Sequence, residues 1–381
     1  MKDKSAINFL RVFLICSLSV VGLVGSFNYL MDPFGYFETV PFIGINEKKL
    51  PGNVQERFDR VVKIISKKPQ AIMLGSSRVR AGFPASYYSR LVGYPAYKAA
   101  FSGARFHEIF SYFEHALHNQ PHLKAVFIGL DFYGFSKNLN PIAEYAEDRM
   151  RRSSVPINDF FKLLLSQATL KYSYTTYKHN RDTKKFEVVD RIHVKVDDDD
   201  YVDLGLPMIE TPEDFLKAEK RFFFDDYVID PKKIEMFRKI VQTCKERNID
   251  LKVIFCPVHA NYCETIYQCG RWNDFENLKR ELSAIYPIYD FSGYSQFNVE
   301  PLSRDTCGTY FFETSHFTPH YGKAILDKVY NIEDRCPNTG TLLTQATIEE
   351  HLKTLRDQRN VWAQHNPEKV EWLRKHLKLT E

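Results

Sequence analysis

The spacing of apolar positions divides this chain into three regimes. From Val12 to Met31 no residue is charged, and Val, Leu, Ile and Phe dominate. About 20 such residues suffice to cross a hydrocarbon core as a helix. Beyond that run, short and largely apolar segments alternate with amphipathic ones. Residues 71–76, 96–101, 125–132, 251–257 and 288–291 have strand length, whereas 57–67, 106–118, 232–248 and 319–330 carry helical spacing. Strands that are apolar on both faces predict a parallel sheet covered on both sides, an α/β fold. Ligands in such sheets bind beyond the carboxyl ends of the strands.

The alternation breaks over residues 138–230, a stretch rich in Tyr, Lys, Arg and Asp that includes Asp197-Asp198-Asp199-Asp200. It is too long for a loop and reads as a helical cap or lid beside the site. The acidic run lacks the ligand alternation and glycine of an EF-hand, so a solvated turn is expected there. Residues 342–379 carry charged, helix-forming sequence with spaced apolar positions and predict a pair of helices. The expected plan is a cytoplasmic N-terminus (1–11), a transmembrane anchor (12–31) and a linker (32–55). An α/β domain (56–335) with its insertion at 138–230 follows, and a C-terminal helical segment (336–381) ends the chain.

Charge sets the expected orientation. Lys2, Lys4 and Arg11 precede the apolar run, and Asp32 and Glu38 follow it. This positive-inside bias keeps the N-terminus cytoplasmic and places the main domain in the periplasm or outside the cell. A cleaved signal peptide is the competing reading, although the run is long for one and no small-x-small cleavage site ends it. The net charge is +4, part of it at the N-terminus, so the exported part is near balance and nucleic acid is not an implied partner. Of seven cysteines, Cys16 lies in the apolar run. The other six (Cys244, Cys256, Cys263, Cys269, Cys307 and Cys336) follow residue 240, where an oxidising compartment favours disulfides. No C-x-x-C pair marks a zinc site, and neither a metal nor a cofactor is expected.

The candidate chemistry sits at strand ends. The run Ala71-Ile72-Met73-Leu74 leads into Gly75-Ser76-Ser77-Arg78, and Glu313-Thr314-Ser315-His316 lies far downstream. A serine at the mouth of a buried strand needs a base to become a nucleophile. A histidine three residues after a carboxylate supplies both that base and the group that orients it. Either serine also suits the cap of a following helix. Ser102-Gly103, Asp131 and His259 end other strands on the same edge. Arg78, Arg80 and Arg105 suit an anionic substrate, or equally a neighbouring carboxylate. His259 is a substrate contact, an alternative base or a structural hydrogen-bonding group. The 30 Phe and 22 Tyr suit sugar rings as well as a core.

Over about residues 70–330, minus the insertion, these blocks resemble the SGNH (GDSL-type) hydrolase superfamily. Gly75-Ser76-Ser77-Arg78 resembles its nucleophile block, with Ser76 where Asp is usual and Ser77 as nucleophile. Ser102-Gly103 is similar to the second block, whose glycine supplies an oxyanion-binding N–H. Gly129-Leu130-Asp131-Phe132 occupies the place of the third block, Gly-x-Asn-Asp. Glu313-Thr314-Ser315-His316 resembles the fifth, Asp-x-x-His, with Glu for Asp. The resemblance implies a flavodoxin-like three-layer fold with a central parallel sheet, a Ser77–His316–Glu313 triad, and an oxyanion hole from the Ser77 and Gly103 N–H groups. Arg78, Arg105, Asp131 and His259 are the candidate substrate contacts. An Asn in the third block donates to the oxyanion, whereas an ionised Asp131 only accepts.

The plan looks most like the membrane-anchored extracytoplasmic branch, which includes proteins of D-alanyl transfer to teichoic acids and of polysaccharide O-acetylation. Such proteins often work beside a multi-spanning membrane acyltransferase. The implied activity is transfer or hydrolysis of acyl groups, acetyl first among them, on a cell-envelope glycan. Ser76, Asp131 and Glu313 depart from the family pattern and keep open a second reading, an inactive scaffold or binding protein in an envelope polysaccharide assembly complex.

Overall fold

The computed structural model describes residues 2–37, 39–47, 56–139, 145–155, 157–181, 191–197, 200–207, 212–302 and 308–377. The order begins α1 (Lys2–Met31), α2 (Glu56–Lys67), β1 (Ala71–Gly75), α3 (Ser77–Gly82), α4 (Ala85–Val92), β2 (Ala96–Ala100), α5 (Phe106–Asn119) and β3 (Ala125–Leu130). It continues with α6 (Ile157–Leu165), α7 (Gln167–Arg181), β4 (Arg191–Asp197), β5 (Asp200–Pro207), α8 (Pro212–Glu219) and α9 (Pro231–Glu246). Then come β6 (Asp250–Phe255), α10 (Ala260–Gln268), α11 (Trp272–Ser283) and β7 (Ile288–Asp290). The chain ends with α12 (Pro319–Val329), β8 (Thr341–Leu343), α13 (Ile348–His365) and α14 (Pro367–Leu377).

Two compact units result. One comprises residues 1–55 and 152–189, the other residues 56–151 and 190–381. In the second unit the sheet order is β2-β1-β3-β6-β7-β8, parallel except for β8, which pairs antiparallel with β7. The five parallel strands therefore follow a doubly wound order whose reversal lies between β1 and β3, where ligand crevices form. β1 shows why the sheet must be covered on both sides. Ile72 and Leu74 enter one apolar cluster with Val126, Ile128 and Val253, while Ala71 and Met73 enter another with Phe127, Ile254 and Phe317. Each fully buried Leu or Ile contributes about 1.5–3 kcal/mol of transfer free energy. Helices α2, α5 and α9 supply residues to the first cluster, and α4 and α12 to the second.

The insertion, expected as a helical cap or lid, is divided between the two units and holds a hairpin besides its helices. Residues 152–189 group with α1, whereas β4, β5 and α8 belong to the second unit. β4 and β5 form an antiparallel hairpin that packs against α3. Asp198 and Asp199, between β4 and β5 in sequence, lie outside the described residues.

The first unit is built around α1, whose segment Lys4–Met31 is long and apolar enough to span a membrane. Its last turns are tied into folded structure. The Asn28 side-chain amide donates to the Leu164 carbonyl at 2.7 Å, and Asn46 donates to the Leu30 carbonyl at 2.6 Å. Asp32 accepts from the Tyr36 N–H at 2.8 Å and so turns the chain after the helix.

The disulfides expected from cysteine count do not form among the described residues. Cys244, Cys256, Cys263, Cys269 and Cys336 are all buried free thiols, and Cys307 lies outside the described residues. Burial among apolar side chains pushes the thiols of Cys244, Cys263 and Cys269 up to about 12, so these cysteines serve as small core residues.

Candidate active site

The strand β1 delivers the Gly75–Arg78 turn to the carboxyl edge of the sheet, at the β1/β3 reversal. The two serines divide the work there. Ser76 is the N-cap of α3, and its Oγ accepts from the Arg78 N–H at 3.1 Å. Ser77, the first helical residue, is thereby left to point elsewhere. It is partly exposed, and its Oγ lies 2.7 Å from His316 Nε2. The other imidazole nitrogen, Nδ1, is in close hydrogen-bonding contact with Glu313 Oε1. A carboxylate on Nδ1 fixes the proton there and turns the Nε2 lone pair toward the Ser77 hydroxyl.

The segment that carries His316 is held rigidly. Phe311 and Phe317 form an antiparallel bridge, and the Phe312 N–H donates to the His316 carbonyl at 2.9 Å. Glu313 also accepts from the Ser315 N–H at 2.7 Å and the His316 N–H at 2.8 Å. Burial pushes the Glu313 carboxyl up, but His316 and these N–H groups outweigh it and hold it below the usual carboxylate value. The segment then enters α12, which crosses α3 closely. A Cβ on Gly322 would lie 1.8 Å from the Gly82 carbonyl oxygen, so only glycine permits this approach.

Arg78 and Asp131 lie together, but as structure. The Arg78 Nη1 donates to Asp131 Oδ1 at 2.5 Å, while Nε and Nη2 donate to Ser315 Oγ at 3.1 and 2.8 Å. The guanidinium also lies over the Tyr262 ring at 4.5 Å. With 3% of its side chain exposed, Arg78 is a strut between α3, β3 and the His316 segment rather than the substrate ligand expected. Arg80, equally buried, pairs with Glu56. Arg105 is the least buried of the three arginines; its Nη1 donates to the Gly103 carbonyl.

His259 takes the structural one of its three expected roles. Its Nδ1 accepts from the Asn261 N–H at 3.2 Å, capping α10, and its Nε2 lies 2.9 Å from the Glu300 carbonyl. Burial pulls the imidazole down to about 4. With both ring nitrogens engaged and the ring buried, it offers neither a base nor a substrate contact. Its backbone N–H braces the site by donating to the Thr314 carbonyl at 3.0 Å.

The Ser102–Gly103 turn is clamped from α2. Glu56 accepts from the Ser102 N–H at 2.7 Å, and Arg57, paired with Glu108 at 2.5 Å, donates to the Ser102 carbonyl at 3.1 Å. Gly103 adopts a left-handed φ of 56°, and no acceptor takes its N–H among the described residues. Sequence gave no hint of Glu219, at the end of α8. It is buried and accepts from the Tyr262 hydroxyl at 3.0 Å. Burial outweighs the attraction of Arg78 and raises its carboxyl to about 8, so it is neutral at pH 7. Its place in the insertion, with no motif around it, concealed it. Among the described residues no group of three or more His, Cys, Asp or Glu side chains is arranged to hold a metal ion.

In comparisons with known proteins, no family model matches the chain and no curated protein is significantly similar to it.

Proposed function

We propose that this protein is a membrane-anchored, extracytoplasmic serine acyltransferase or esterase of SGNH type, acting on acyl groups of a cell-envelope glycan. The observation that carries this reading is the Glu313–His316–Ser77 chain of hydrogen bonds at the carboxyl edge of a doubly wound sheet. Ser77 Oγ attacks the acyl carbonyl while its proton passes to His316 Nε2, and Glu313 stabilises the imidazolium. The N–H groups of Ser77 and Gly103 receive the oxyanion. The bond to the donor oxygen breaks as that oxygen takes the proton from His316, leaving acyl-Ser77. A sugar hydroxyl (transfer) or water (hydrolysis) then gives its proton to His316 and attacks the ester, and the proton returns to Ser77. Retention of α1 as an anchor is supported by the burial of Asn28 and Met31 and by the Asn28–Leu164 bond, which signal-peptide cleavage would remove.

One observation favours the scaffold reading. Asp131 stands at the third-block position, is engaged by Arg78 and supplies no oxyanion donor. A missing donor of this kind costs about 100- to 1000-fold in turnover. One experiment separates the two readings. The full-length protein is incubated with an activated acyl ester and Ser77 is examined by mass spectrometry, with Ser77→Ala and His316→Ala alongside. The enzyme reading expects acyl-Ser77 in the wild type and a loss of at least about 1000-fold in acylation rate in either variant. Unmodified Ser77 in folded protein would overturn it in favour of the scaffold.

A further inference from the structure

The first unit presents an apolar face that its own fold leaves open. On α6, Ile157, Phe160, Phe161 and Leu165 are exposed, Ile157 at 70%, while Asp159 and Leu163 on the opposite face are buried. Spacings of three, four and eight residues put the exposed four on one stripe of a helix. Phe42 and Ile43, the latter 90% exposed, add apolar surface from the segment after α1. A soluble surface rarely leaves so many large apolar side chains exposed along one helix stripe.

Three observations identify what covers this face. First, it is continuous with a lipid-facing surface: a Cβ on Gly25 of α1 would touch Leu165 at 3.4 Å, and Leu164 receives the Asn28 bond. Second, the depth fits. Gly25 lies six residues before the end of α1 at Met31, about 9 Å along a helix axis. Interfacial helices bury their apolar face about 5–10 Å into the boundary of headgroups and acyl chains. Third, the charge fits. The exposed charged residues of α6 and α7 are Lys162, Lys171, Lys178 and Arg181, and the one acidic residue, Asp159, is buried. Such a set suits anionic headgroups.

We propose that α6, with Phe42 and Ile43, lies in the interface of the bilayer that α1 crosses, so that lipid holds this unit through a span and an interfacial helix together. The test uses the full-length chain, with Cys16→Ser and Cys307→Ser, in vesicles of phosphatidylethanolamine and phosphatidylglycerol at about 3:1. Nitroxides are attached one at a time at Ile157→Cys, Phe161→Cys and Lys162→Cys, all exposed sites whose labelling spares the core. Collision with oxygen and with a water-soluble nickel chelate reports depth. Labels at 157 and 161 are expected about 5–10 Å below the phosphates, with the one at 162 facing water. Free access of nickel to all three labels would overturn the proposal. Shielding of 157 and 161 from both reagents would also overturn it, because a protein, either a partner or a second copy, would then cover the face.

Discussion

Ser76 and Ser77 are adjacent, chemically identical and unequal. The first satisfies an open N–H at the start of α3, and the second offers its hydroxyl to His316. Ser76→Ala is therefore expected to lower unfolding free energy by about 1 kcal/mol while leaving acylation at Ser77 within a few-fold of wild type. Denaturant titration and ester reactivity measured on the same protein read the two effects separately. Glu219 has a different signature. Its folded carboxyl titrates near 8, against an ordinary value of 4.5. Between those values the folded state keeps a proton that the unfolded state has released. This group's contribution is thus complete below about pH 4.5 and is lost as pH rises toward 8. Glu219→Gln is expected to flatten the fall in melting temperature between pH 5 and 8. An unchanged slope would place the pH dependence elsewhere in the cluster of Arg78, Asp131, Glu313 and Tyr262.

Elements meet at two junctions whose chemistry is open to test. At the α3–α12 crossing, Gly322→Ala forces the Gly82 backbone away and carries the His316 segment off Ser77. Ester reactivity is expected to fall far more than stability, and equal losses in both would contradict this. Behind the sheet, Asp290 on β7 receives Lys279 of α11 at 2.6 Å and His351 of α13 at 2.8 Å. Burial opposes ionisation of Asp290, but Lys279 and His351 prevail and hold its carboxyl well below the usual value. Stability from this ionisation is present above the ordinary carboxylate range and is lost as pH falls below it. Lys279→Met leaves a buried carboxylate without its cation and is expected to cost about 3–5 kcal/mol, read as a lowered urea midpoint at pH 7.

These junctions also show what sequence reveals and what it hides. The five parallel strands and α2, α5, α9 and α12 were legible because each carries its own apolar period. β8 buries only Leu343 of its three residues and so displays no apolar period. Glu313 and His316 were legible because three residues put a carboxylate beside an imidazole, and Ser77 because it ends a buried strand, whereas the fold brings Ser77 and His316 together across 239 residues. The true partners of Arg78 and His259 were not. Ser315 lies 237 residues from Arg78, and Glu300 lies 41 from His259, so only the fold brings them together.

For the whole molecule, the two units are nested in sequence. The unit that contains α1 is interrupted by residues 56–151, which carry β1, β2 and β3 of the other unit. Asn28 and its acceptor at Leu164 are 136 residues apart. At synthesis rates of about 5–20 residues per second, roughly 7–27 s pass between the making of one and the other. Throughout that interval the amide near the end of α1 has no acceptor at Leu164, and by its close three of the five parallel strands have been synthesised. Closing the first unit thus waits for residue 164, at a point when β6, β7 and β8 of the other unit are still to be made, so the two units are completed in overlapping stages of synthesis.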